Sequence, residues 1–303
     1  DSPTDGIFFA GACQGPKDIP SSVAQGSAAA ARASRILHSD QWQIEPTVAV
    51  VWPDKCLSAQ GKSCGMCEKA CPYGAVDYTQ GIAPTIITAK CHGCGGCVGE
   101  CPTDTITQLH YTDAQILTQI RALLATEPEK KILTLRCHWC SYGGADLAGT
   151  SHFEYSANER GIKVMCSARM DSDFVYEAFR LGAGAVLYSG CHQQDCHYIT
   201  GQLVGAKRAA RLQTMFERMG MSPGRFRVEW ISAAEGDKYA RVVNEMQASL
   251  DEIGPEKLHL EIERLRPDMA KRITKLPNIP HVQQAFDRAD KFQTIMINEV
   301  IGR

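Results

Sequence analysis

Two cysteine runs between residues 56 and 101 constrain this chain more than any other feature. The second run has the spacing C-x2-C-x2-C-x3-C-P and consists of Cys91, Cys94, Cys97, Cys101 and Pro102. The first run repeats the C-x2-C-x3-C-P part of this pattern with its first cysteine farther upstream, and it consists of Cys56, Cys64, Cys67, Cys71 and Pro72. Closely spaced thiolates of this kind wrap one side of a [4Fe–4S] cluster. The sequence therefore predicts two [4Fe–4S] clusters in one ferredoxin-like module.

The spacing also predicts which cysteines share a cluster. The last cysteine of such a run normally ligates the other cluster, so the two runs exchange one ligand each. The ligands predicted for the first cluster are Cys56, Cys64, Cys67 and Cys101. The ligands predicted for the second cluster are Cys91, Cys94, Cys97 and Cys71. Between the ligands stand glycines that permit positive φ and bring amide N–H groups toward the sulfurs, namely Gly65, Gly93, Gly95 and Gly96.

One departure from the pattern leaves an alternative open. Seven residues separate Cys56 from Cys64, where the usual spacing has two. A loop can accommodate this insertion if Cys56 folds back onto the cluster. The alternatives are that Cys56 is a free thiol, or that the paired C-x2-C units bind zinc.

Composition indicates an intracellular redox protein. The 303 residues allow two or three domains, and the 14 cysteines occur at metal-binding rather than disulfide-framework spacings. A net charge of −2 without a basic block excludes a nucleic-acid-binding role. No signal peptide and no membrane-spanning apolar run are present. We therefore expect a cytoplasmic protein, peripheral to a membrane only through a partner, and a fragment or processed product because the chain begins at Asp1.

In the first 50 residues, we expect a short strand at 6–11 and an alanine-rich helix at 23–37 that is capped by Ser21 or Ser22. This pattern resembles the C-terminal flavin-binding segment of the disulfide-reductase-like flavoproteins, which implies that the segment is the flavin-binding end of a larger protein. A helix N-terminus favours anionic groups such as those of a flavin, but the Gly-x-Gly-x-x-Gly turn for its pyrophosphate is absent. A simple packing helix is the alternative. Cys13, in the same segment, is not expected to ligate a cluster.

Strands alternate with helices after a connector helix predicted over 113–130, on which Ile116, Ile120 and Leu123 share one face. The predicted strands are 132–135, 162–165, 185–188 and 226–231. The predicted helices lie near 145–150, 171–181, 198–219 and 235–252. This alternation is typical of βαβ units and a parallel sheet. The expected fold is thus an α+β ferredoxin-like module, followed by an α/β parallel-sheet domain and a helical tail.

A second group of cysteines follows the predicted strands of the α/β domain. Its members are Cys137, Cys140, Cys166, Cys191 and Cys196. The carboxyl ends of parallel strands share one edge of a sheet, so we expect these thiols to converge there. Four of the five would hold a [2Fe–2S] cluster.

Three other chemistries compete for this group. A Rieske-type centre would use two histidines, for which His138, His192 and His197 are available, although each directly follows a cysteine. A structural zinc site is the second alternative. The third is thiol chemistry, because Cys137 and Cys140 form a C-x-x-C unit between a strand and a helix, as in thioredoxin-like proteins.

Four segments of the α/β domain, in order, resemble the delta subunit of methyl-viologen-reducing hydrogenase. They are residues 136–151, 164–170, 190–198 and 229–236. Residues 5–120 resemble the C-terminal part of the A subunit of heterodisulfide reductase. A fusion of these two parts is also similar to the B subunit of the quinone-interacting membrane-bound oxidoreductase.

The resemblance implies an electron-transfer subunit rather than a substrate-converting enzyme. Its partners would be heterodisulfide-reductase-like subunits together with a hydrogenase, a formate dehydrogenase or a quinone-reactive membrane subunit, and the complex could split electron pairs. FAD would bind only with upstream or partner flavoprotein residues. The contacts that the resemblance implies for FAD are Gly11, Lys17, Asp18 and Ile19. A thiol–disulfide oxidoreductase using Cys137 and Cys140 is the alternative function.

These observations divide the chain into five segments. They are a flavoprotein end (1–50), a two-cluster ferredoxin domain (51–112), a connector helix (113–130), a delta-subunit-like domain (131–254) and a helical tail (255–303). The leucines and isoleucine of the tail show no clean single stripe. We expect a solvated helix packed on the domain, and a docking arm for a partner protein is the alternative.

Overall fold

The computed structural model describes residues 7–38, 47–79, 81 and 83–274. Of these residues, 7–38 belong to one compact unit and the rest, from 47 to 274, belong to a second. The first unit contains a 3-10 turn, Gly11–Gln14, and the helix α1, Ile19–Leu37. The strand expected at 6–11 is wrong for its described part, because residues 7–10 form no strand.

Helix α1 begins four residues earlier than expected, at Ile19. Asp18, rather than Ser21 or Ser22, caps it, since an Asp18 carboxylate oxygen accepts a hydrogen bond from the Ser21 N–H at 2.8 Å. The Ser22 hydroxyl donates to the Asp18 carbonyl oxygen at 2.9 Å. A charged carboxylate satisfies the exposed N–H groups of a first turn better than a hydroxyl does.

The second unit starts with a small module built from two antiparallel strand pairs. Its first and last strands, β1 (Ala49–Val51) and β4 (Ile106–Gln108), pair with each other. The inner strands β2 (Val76–Asp77) and β3 (Thr85–Ile86) form the second pair. Each cysteine run enters a short helix, α2 (Met66–Ala70) or α3 (Gly96–Gly99). Because β1 pairs with β4, both runs lie within one closed module, as the sequence predicts.

Helix α4, Asp113–Leu123, follows the module and begins with a capping box between Thr112 and Gln115. It ends at Leu123, well before Pro128, which begins a separate 3-10 turn. Ile116 and Ile120 are buried as expected. Glu127 has a positive φ of 43°, so a turn intervenes before the next strand.

A four-stranded parallel sheet forms the rest of the unit. Its strands are β5 (Ile132–Cys137), β6 (Glu159–Val164), β7 (Ala185–Gly190) and β8 (Phe226–Trp230). Their order is β6-β5-β7-β8, and every neighbouring pair is parallel. The intervening helices are α5 (Ser141–Thr150), α6 (Ser172–Arg180), α7 (Gly201–Arg218) and α8 (Gly236–Ile253). The prediction of a parallel α/β sheet is confirmed.

The sheet is covered on both faces. Leu133 and Leu135 of β5 lie in one apolar core, whereas Ile132 of the same strand lies in a second core on the opposite face. Strands buried on both faces read as continuous apolar runs, which is why β5 and β7 are clear in the sequence. Strand β6 starts three residues before its predicted start because its first residues are polar.

The last described helix, α9 (Pro255–Arg272), packs on the sheet domain. Its buried residues are Leu258, Ile262, Leu265 and Met269, together with Glu261. As expected, Leu258, Leu260, Ile262 and Leu265 do not form a single stripe, although Leu258, Ile262, Leu265 and Met269 share one buried face at helical spacing. Leu260, 70% exposed, faces away from the domain. The rest of the tail, from residue 275, lies outside the described residues.

Candidate metal centres

The four cysteines predicted for the first cluster line one cavity. They are Cys56, Cys64, Cys67 and Cys101. Burial raises the pKa of the Cys67 thiol, and the charge of Cys101 adds to that effect. The Tyr78 hydroxyl lies 3.3 Å from the Cys67 sulfur. In the described part of the chain, the side chains that line this cavity are all uncharged.

The residues between Cys56 and Cys64 fold as a compact loop. The Cys56 N–H donates to the Pro53 carbonyl oxygen at 2.9 Å, which sets the residue at the end of a 3-10 turn. The Lys62 N–H donates back to the Leu57 carbonyl oxygen at 2.9 Å, and Gly61 takes a positive φ of 77°. The inserted residues therefore close on themselves, and Cys56 lines the same cavity as Cys64.

The second predicted set consists of Cys91, Cys94, Cys97 and Cys71. Burial raises the pKa of Cys97, and the charges of Cys94, Cys91 and Cys71 raise it further. Burial likewise raises the pKa of Cys94 to about 11, although a hydrogen bond from the Gly96 N–H at 3.5 Å acts to lower it. Crowded buried thiolates of this kind are stable only when a metal replaces their protons.

The glycines of this loop differ in backbone conformation. Gly93 and Gly95 have positive φ, as expected, but Gly96 does not, so the expectation for Gly96 is wrong. A Cβ at Gly96 would instead lie 3.5 Å from the Ala168 Cβ, in the turn that follows Cys166. This is an ordinary van der Waals distance, so the packing at Gly96 does not by itself require glycine.

The third set lies at the carboxyl edge of the parallel sheet. The sulfurs of Cys137, Cys140 and Cys191 lie within 4.8 Å of one another, and those of Cys137 and Cys191 are 3.6 Å apart. The Cys196 thiol hydrogen-bonds to both Cys166 and Cys191. The five thiols thus form one continuous group, joined in the order Cys140, Cys137, Cys191, Cys196 and Cys166.

Hydrogen bonds from the protein favour charged sulfur at two of these positions. Hydrogen bonds from Cys140 and Cys191 hold the pKa of Cys137 well below its usual value, and the Ser141 N–H lies 3.5 Å from its sulfur. Hydrogen bonds from Cys166 and Cys191 lower the pKa of Cys196, which also accepts from the Gln202 N–H at 3.3 Å. Both sulfurs can therefore serve as thiolate ligands.

The histidines make other contacts. His192 lies 2.5 Å from a Glu235 carboxylate oxygen, and the His197 ring stacks on Trp139 with ring centres 3.7 Å apart. The His138 ring packs edge-on against Trp139. Within the part of the chain that the structure describes, no histidine nitrogen joins the group of Cys137, Cys140 and Cys191. The geometry does not favour a Rieske-type centre.

Ala168 lies between glycines that neighbour the second and third sets. A Cβ at Gly96 would lie 3.5 Å from the Ala168 Cβ and 3.7 Å from the Cys94 sulfur. A Cβ at Gly201 would lie 3.7 Å from the Ala168 Cβ and 2.2 Å from the Cys166 sulfur. Ala168 is thus held between two glycines, each of which packs against a cysteine of one set.

Arg208 stabilises this contact through hydrogen bonds to both sides of it. Its Nη1 donates to the carbonyl oxygens of Ala168 at 2.8 Å and Met170 at 2.9 Å. Its Nη2 donates to the Gly99 carbonyl oxygen at 2.8 Å and pairs with the Glu100 carboxylate. One buried guanidinium therefore joins the sheet domain to helix α3 of the cysteine module.

Aromatic rings cover the same boundary. Tyr73 stacks on His92 with ring centres 3.9 Å apart. Burial raises the pKa of Tyr73, and the charges of Cys94 and Cys196 add to this, so the ring lies beside thiols of both sets. On the other side, the Trp139 Nε1–H donates to the Tyr198 hydroxyl at 2.9 Å. Sequence analysis gave these aromatic residues no role, because their contacts join elements that are distant in sequence.

The residues expected to contact FAD lie in the first unit. Gly11 has a positive φ of 74°, and its N–H donates to the Gln25 side-chain oxygen at 2.9 Å. The hydrogen bonds of Ser21 lower the pKa of Asp18. Lys17 is exposed, and Ile19 is 80% exposed. Cys13 is exposed, with its thiol donating to the Ala10 carbonyl oxygen at 3.0 Å. FAD binding here stays a prediction.

The length and hydropathy of the helices determine whether any of them could span a membrane. Across the described ranges, none of them is both long enough and apolar enough to cross a bilayer.

Comparison with known proteins agrees with this arrangement. Residues 132–254 match the family model "methyl-viologen-reducing hydrogenase, delta subunit", and residues 62–106 match a 4Fe-4S dicluster domain. The iron-sulfur D subunit of the F420-non-reducing hydrogenase vhc from Methanococcus voltae is 39% identical over 132 residues. That match covers 44% of this chain and 92% of the relative.

A second group of relatives covers more of this chain. The A subunit of the ferredoxin:CoB-CoM heterodisulfide reductase of Methanosarcina mazei is 39% identical over 256 residues. The match covers 84% of this chain and 32% of that relative, so the chain spans about a third of its length. An A-type iron-sulfur subunit of the CoB–CoM heterodisulfide reductase of Methanopyrus kandleri is 54% identical over 80 residues, which is 26% of this chain and 11% of the relative.

The fold and its cysteine sets define an iron–sulfur electron-transfer protein, in which a dicluster ferredoxin module is joined to a parallel α/β domain. Through that α/β domain, the chain belongs to the family of the methyl-viologen-reducing hydrogenase delta subunit. The resemblance predicted from the sequence, to this family and to the A subunit of heterodisulfide reductase, is confirmed.

Proposed function

We propose that this chain relays electrons between a dehydrogenase or hydrogenase and a flavin-containing complex that resembles heterodisulfide reductase. It would do so with two [4Fe–4S] clusters and one [2Fe–2S] cluster. The observation that carries the proposal is the placement of Ala168, which lies against Gly96 beside Cys94 of the second set and against Gly201 beside Cys166 of the third set. Bound iron–sulfur clusters supply one-electron transfer, and the protein supplies burial, spacing and hydrogen bonds.

The donor sets fit the two [4Fe–4S] clusters. Four sulfurs line the first cavity, including Cys56, which supports its role as a ligand despite the widened spacing. In the second set, Cys97 lies close enough to Cys94, Cys91 and Cys71 for their charges to raise its pKa. If the two runs exchange their last cysteines, Cys71 and Cys101, the ligands fall into these two sets.

For the [2Fe–2S] cluster, we propose four ligands among the five thiols. The proposed ligands are Cys137, Cys140, Cys191 and Cys196. The first three lie within 4.8 Å of one another, and Cys196 hydrogen-bonds to Cys191. Cys166 hydrogen-bonds to Cys196, and the charge of Cys94 raises the pKa of Cys166. Cys166 is therefore the non-ligand thiol, between the third set and the second.

The partners follow from the names of the relatives. These are subunits of heterodisulfide reductase and of hydrogenase, and we propose that this chain acts in a complex of that kind. A formate dehydrogenase or a quinone-reactive membrane subunit would serve equally as the other partner. In such a complex, the first unit would complete an FAD site with residues from outside this chain, and electron pairs could be split there. The five segments predicted from the sequence remain the proposed domain division.

Thiol–disulfide chemistry is the second candidate, favoured by one observation. Cys137 and Cys140 hydrogen-bond to each other at the start of helix α5, and the pKa of Cys137 is lowered. However, Cys191 contacts the same pair, and in the structure all five cysteines of the group are free.

Iron and acid-labile sulfide per chain, with EPR of the reduced protein, test the proposal on anaerobically purified material. We expect about ten irons and a [2Fe–2S] signal that Cys140→Ser abolishes and the matched variant Cys166→Ser retains. About eight irons with a reducible disulfide between Cys137 and Cys140 would move the conclusion to thiol chemistry. Zinc in place of iron at this site would reject both candidates.

A further inference from the structure

Arg169 is a fully buried arginine at the boundary between the cysteine module and the sheet domain. Its side chain is 0% exposed, and it lies in the short turn after Cys166. Its aliphatic part passes directly over Gly95, where a Cβ would lie 2.6 Å from the Arg169 Cδ. Gly95 directly follows Cys94, a proposed ligand of the second [4Fe–4S] cluster. The sheet domain therefore places a permanent positive charge beside the loop that wraps this cluster.

This charge is only partly neutralised by the protein. The Arg169 Nη2 donates to the Tyr111 carbonyl oxygen at 2.7 Å and to an Asp113 carboxylate oxygen at 2.6 Å. Asp113 is 20% exposed, so water screens its charge more than that of Arg169. The Arg169 Nε and Nη1 have no hydrogen-bond partner among the described residues. Buried donors without partners favour negative charge nearby.

The first cysteine set has no equivalent cation. In the described part of the molecule, the side chains that line the cavity of Cys56, Cys64, Cys67 and Cys101 are neutral. The nearby lysines, Lys62 and Lys69, are exposed, so solvent screens their charges. A buried cation stabilises an added electron more than an exposed one, because its field acts through a medium of lower dielectric constant.

We propose that Arg169 is a positioning residue that raises the reduction potential of the cluster in the second set above that of the first set. The inference rests on the proposed function, and it adds a direction: the cluster at the domain boundary is the more easily reduced of the two. At an effective dielectric constant of about 20 and separations on the order of 10 Å, one unit charge changes an equilibrium about tenfold. For a one-electron couple, this corresponds to about 59 mV.

The chain contains a matched control, Arg225. It is 1% exposed, its Nη1 pairs with Glu261 at 2.8 Å, and its guanidinium lies 5.3 Å from the Phe179 ring centre. Arg169 has the same surroundings in kind, with Asp113 as its carboxylate and the Phe174 ring at 5.2 Å. Arg225 donates to the carbonyl oxygens of Ala183 and Gly184, just before β7 begins. It therefore lies at the amino edge of the sheet, opposite the cysteines.

The test is an EPR-monitored redox titration of the full, cluster-loaded chain in the Arg169→Met, Arg169→Lys and Arg225→Met variants. We expect Arg169→Met to lower the midpoint potential of one [4Fe–4S] signal by about 59 mV, a tenfold change. Arg169→Lys should lower it less, and Arg225→Met should leave both signals unchanged. Unmoved signals in Arg169→Met, or equal shifts in both signals, would overturn the inference.

If the Arg169→Met variant loses its clusters, Asp113→Asn tests the inference instead, because it keeps the arginine and removes its counter-charge. That variant should raise the same midpoint potential, and an unchanged or lowered potential would overturn the inference. A wild-type chain that shows no [4Fe–4S] signal would overturn the proposed function itself, which distinguishes the two failures.

Discussion

The two cysteine runs have nearly the same spacing but opposite surroundings. Helix α2 of the first run faces solvent, where Met66 is 40% exposed and Lys69 is exposed. Helix α3 of the second run has glycine at both corresponding positions, Gly96 and Gly99, and is largely buried. A Cβ at Gly99 would lie 2.4 Å from the Ala168 carbonyl oxygen. Cluster ligation explains the spacing that the runs share, and docking against the sheet domain explains how they differ.

This difference assigns the runs separate roles in the fold. The second run is both a cluster loop and an interface, since the turn 167–169 and Arg208 lie directly on α3. The first run carries an inserted loop that opens a concave surface around Cys64, lined by Lys62 and Lys69. Substitutions at equivalent positions should therefore have unequal effects.

The largest effect is expected from Arg208→Ala. This change leaves the Glu100 carboxylate and three carbonyl oxygens at the boundary without their donor, and breaking such a buried pair costs about 3–5 kcal/mol. Denaturant unfolding, followed by iron–sulfur absorbance and circular dichroism, would measure the loss. Lys69→Ala, on the solvent-facing run, is the control and should change the unfolding midpoint little. Equal midpoints for the two variants would contradict the interface role of α3.

The next effect compares two glycines with the same backbone conformation. Gly65 and Gly95 have φ of 68° and 73°, so alanine is strained at both, at about 1–2 kcal/mol. At Gly65, the nearest atom to a new Cβ is a Glu68 oxygen at 4.0 Å. At Gly95, the new Cβ would meet Gln108 at 2.3 Å and Arg169 at 2.6 Å, which adds about 1–3 kcal/mol of overpacking. Thermal unfolding of Gly65→Ala and Gly95→Ala should show the larger loss in Gly95→Ala.

A smaller effect is expected from Gly99→Ala. Gly99 needs no positive φ, so alanine there is disfavoured only by close contacts, with the Ala168 carbonyl oxygen at 2.4 Å and the Arg208 Nη2 at 2.9 Å. The expected cost is about 1–3 kcal/mol, because a backbone atom cannot rotate away. Lys69→Ala at the equivalent position should fall within about 0.5 kcal/mol of wild type. If limited proteolysis and unfolding gave the same result for both variants, the close packing of α3 would not contribute to stability.

Sequence reasoning reached the parts of the site that spacing and strand order determine. Ligand spacing predicted the two proposed cluster sets, and the rule that strand carboxyl ends share one edge brought Cys137, Cys166 and Cys191 together. Cys196 was included because it closely follows the third strand. Each of these inferences depends on local sequence or on a general property of parallel sheets.

The rest depends on packing between the module and the sheet domain, which no local pattern encodes. Arg169, Arg208 and Tyr73 were missed because their partners lie on elements distant in sequence. Gly96 was assigned a positive φ, which it does not have in the structure. The difference between Met66-x-x-Lys69 and Gly96-x-x-Gly99 was visible in the sequence, and it could have indicated that only the second run is covered.

The smallest expected effect concerns pH and the helix that follows the second run. Burial alone would raise the pKa of Glu177, but hydrogen bonds from Arg180 and Arg121 hold it below the usual glutamate value. Arg121 of α4 donates to Glu177 of α6 at 2.7 Å, so this pair joins the connector helix to the sheet domain. Because the folded-state pKa is depressed, the stabilisation is fully present above the unfolded pKa of about 4.3. It is lost as the pH falls through the lower folded value.

Glu177→Gln should therefore cost on the order of 1 kcal/mol at neutral pH and less below pH of about 4. Unfolding midpoints of wild type and variant, measured across this range, should converge as the pH falls. Glu68→Gln on the solvent-facing helix α2 is the control and should follow the wild-type curve throughout. Parallel curves for wild type and Glu177→Gln would show that the Glu177 side chain stabilises the fold through packing alone. Arg169 and Arg208 would then account for the difference in charge between the surroundings of the two runs.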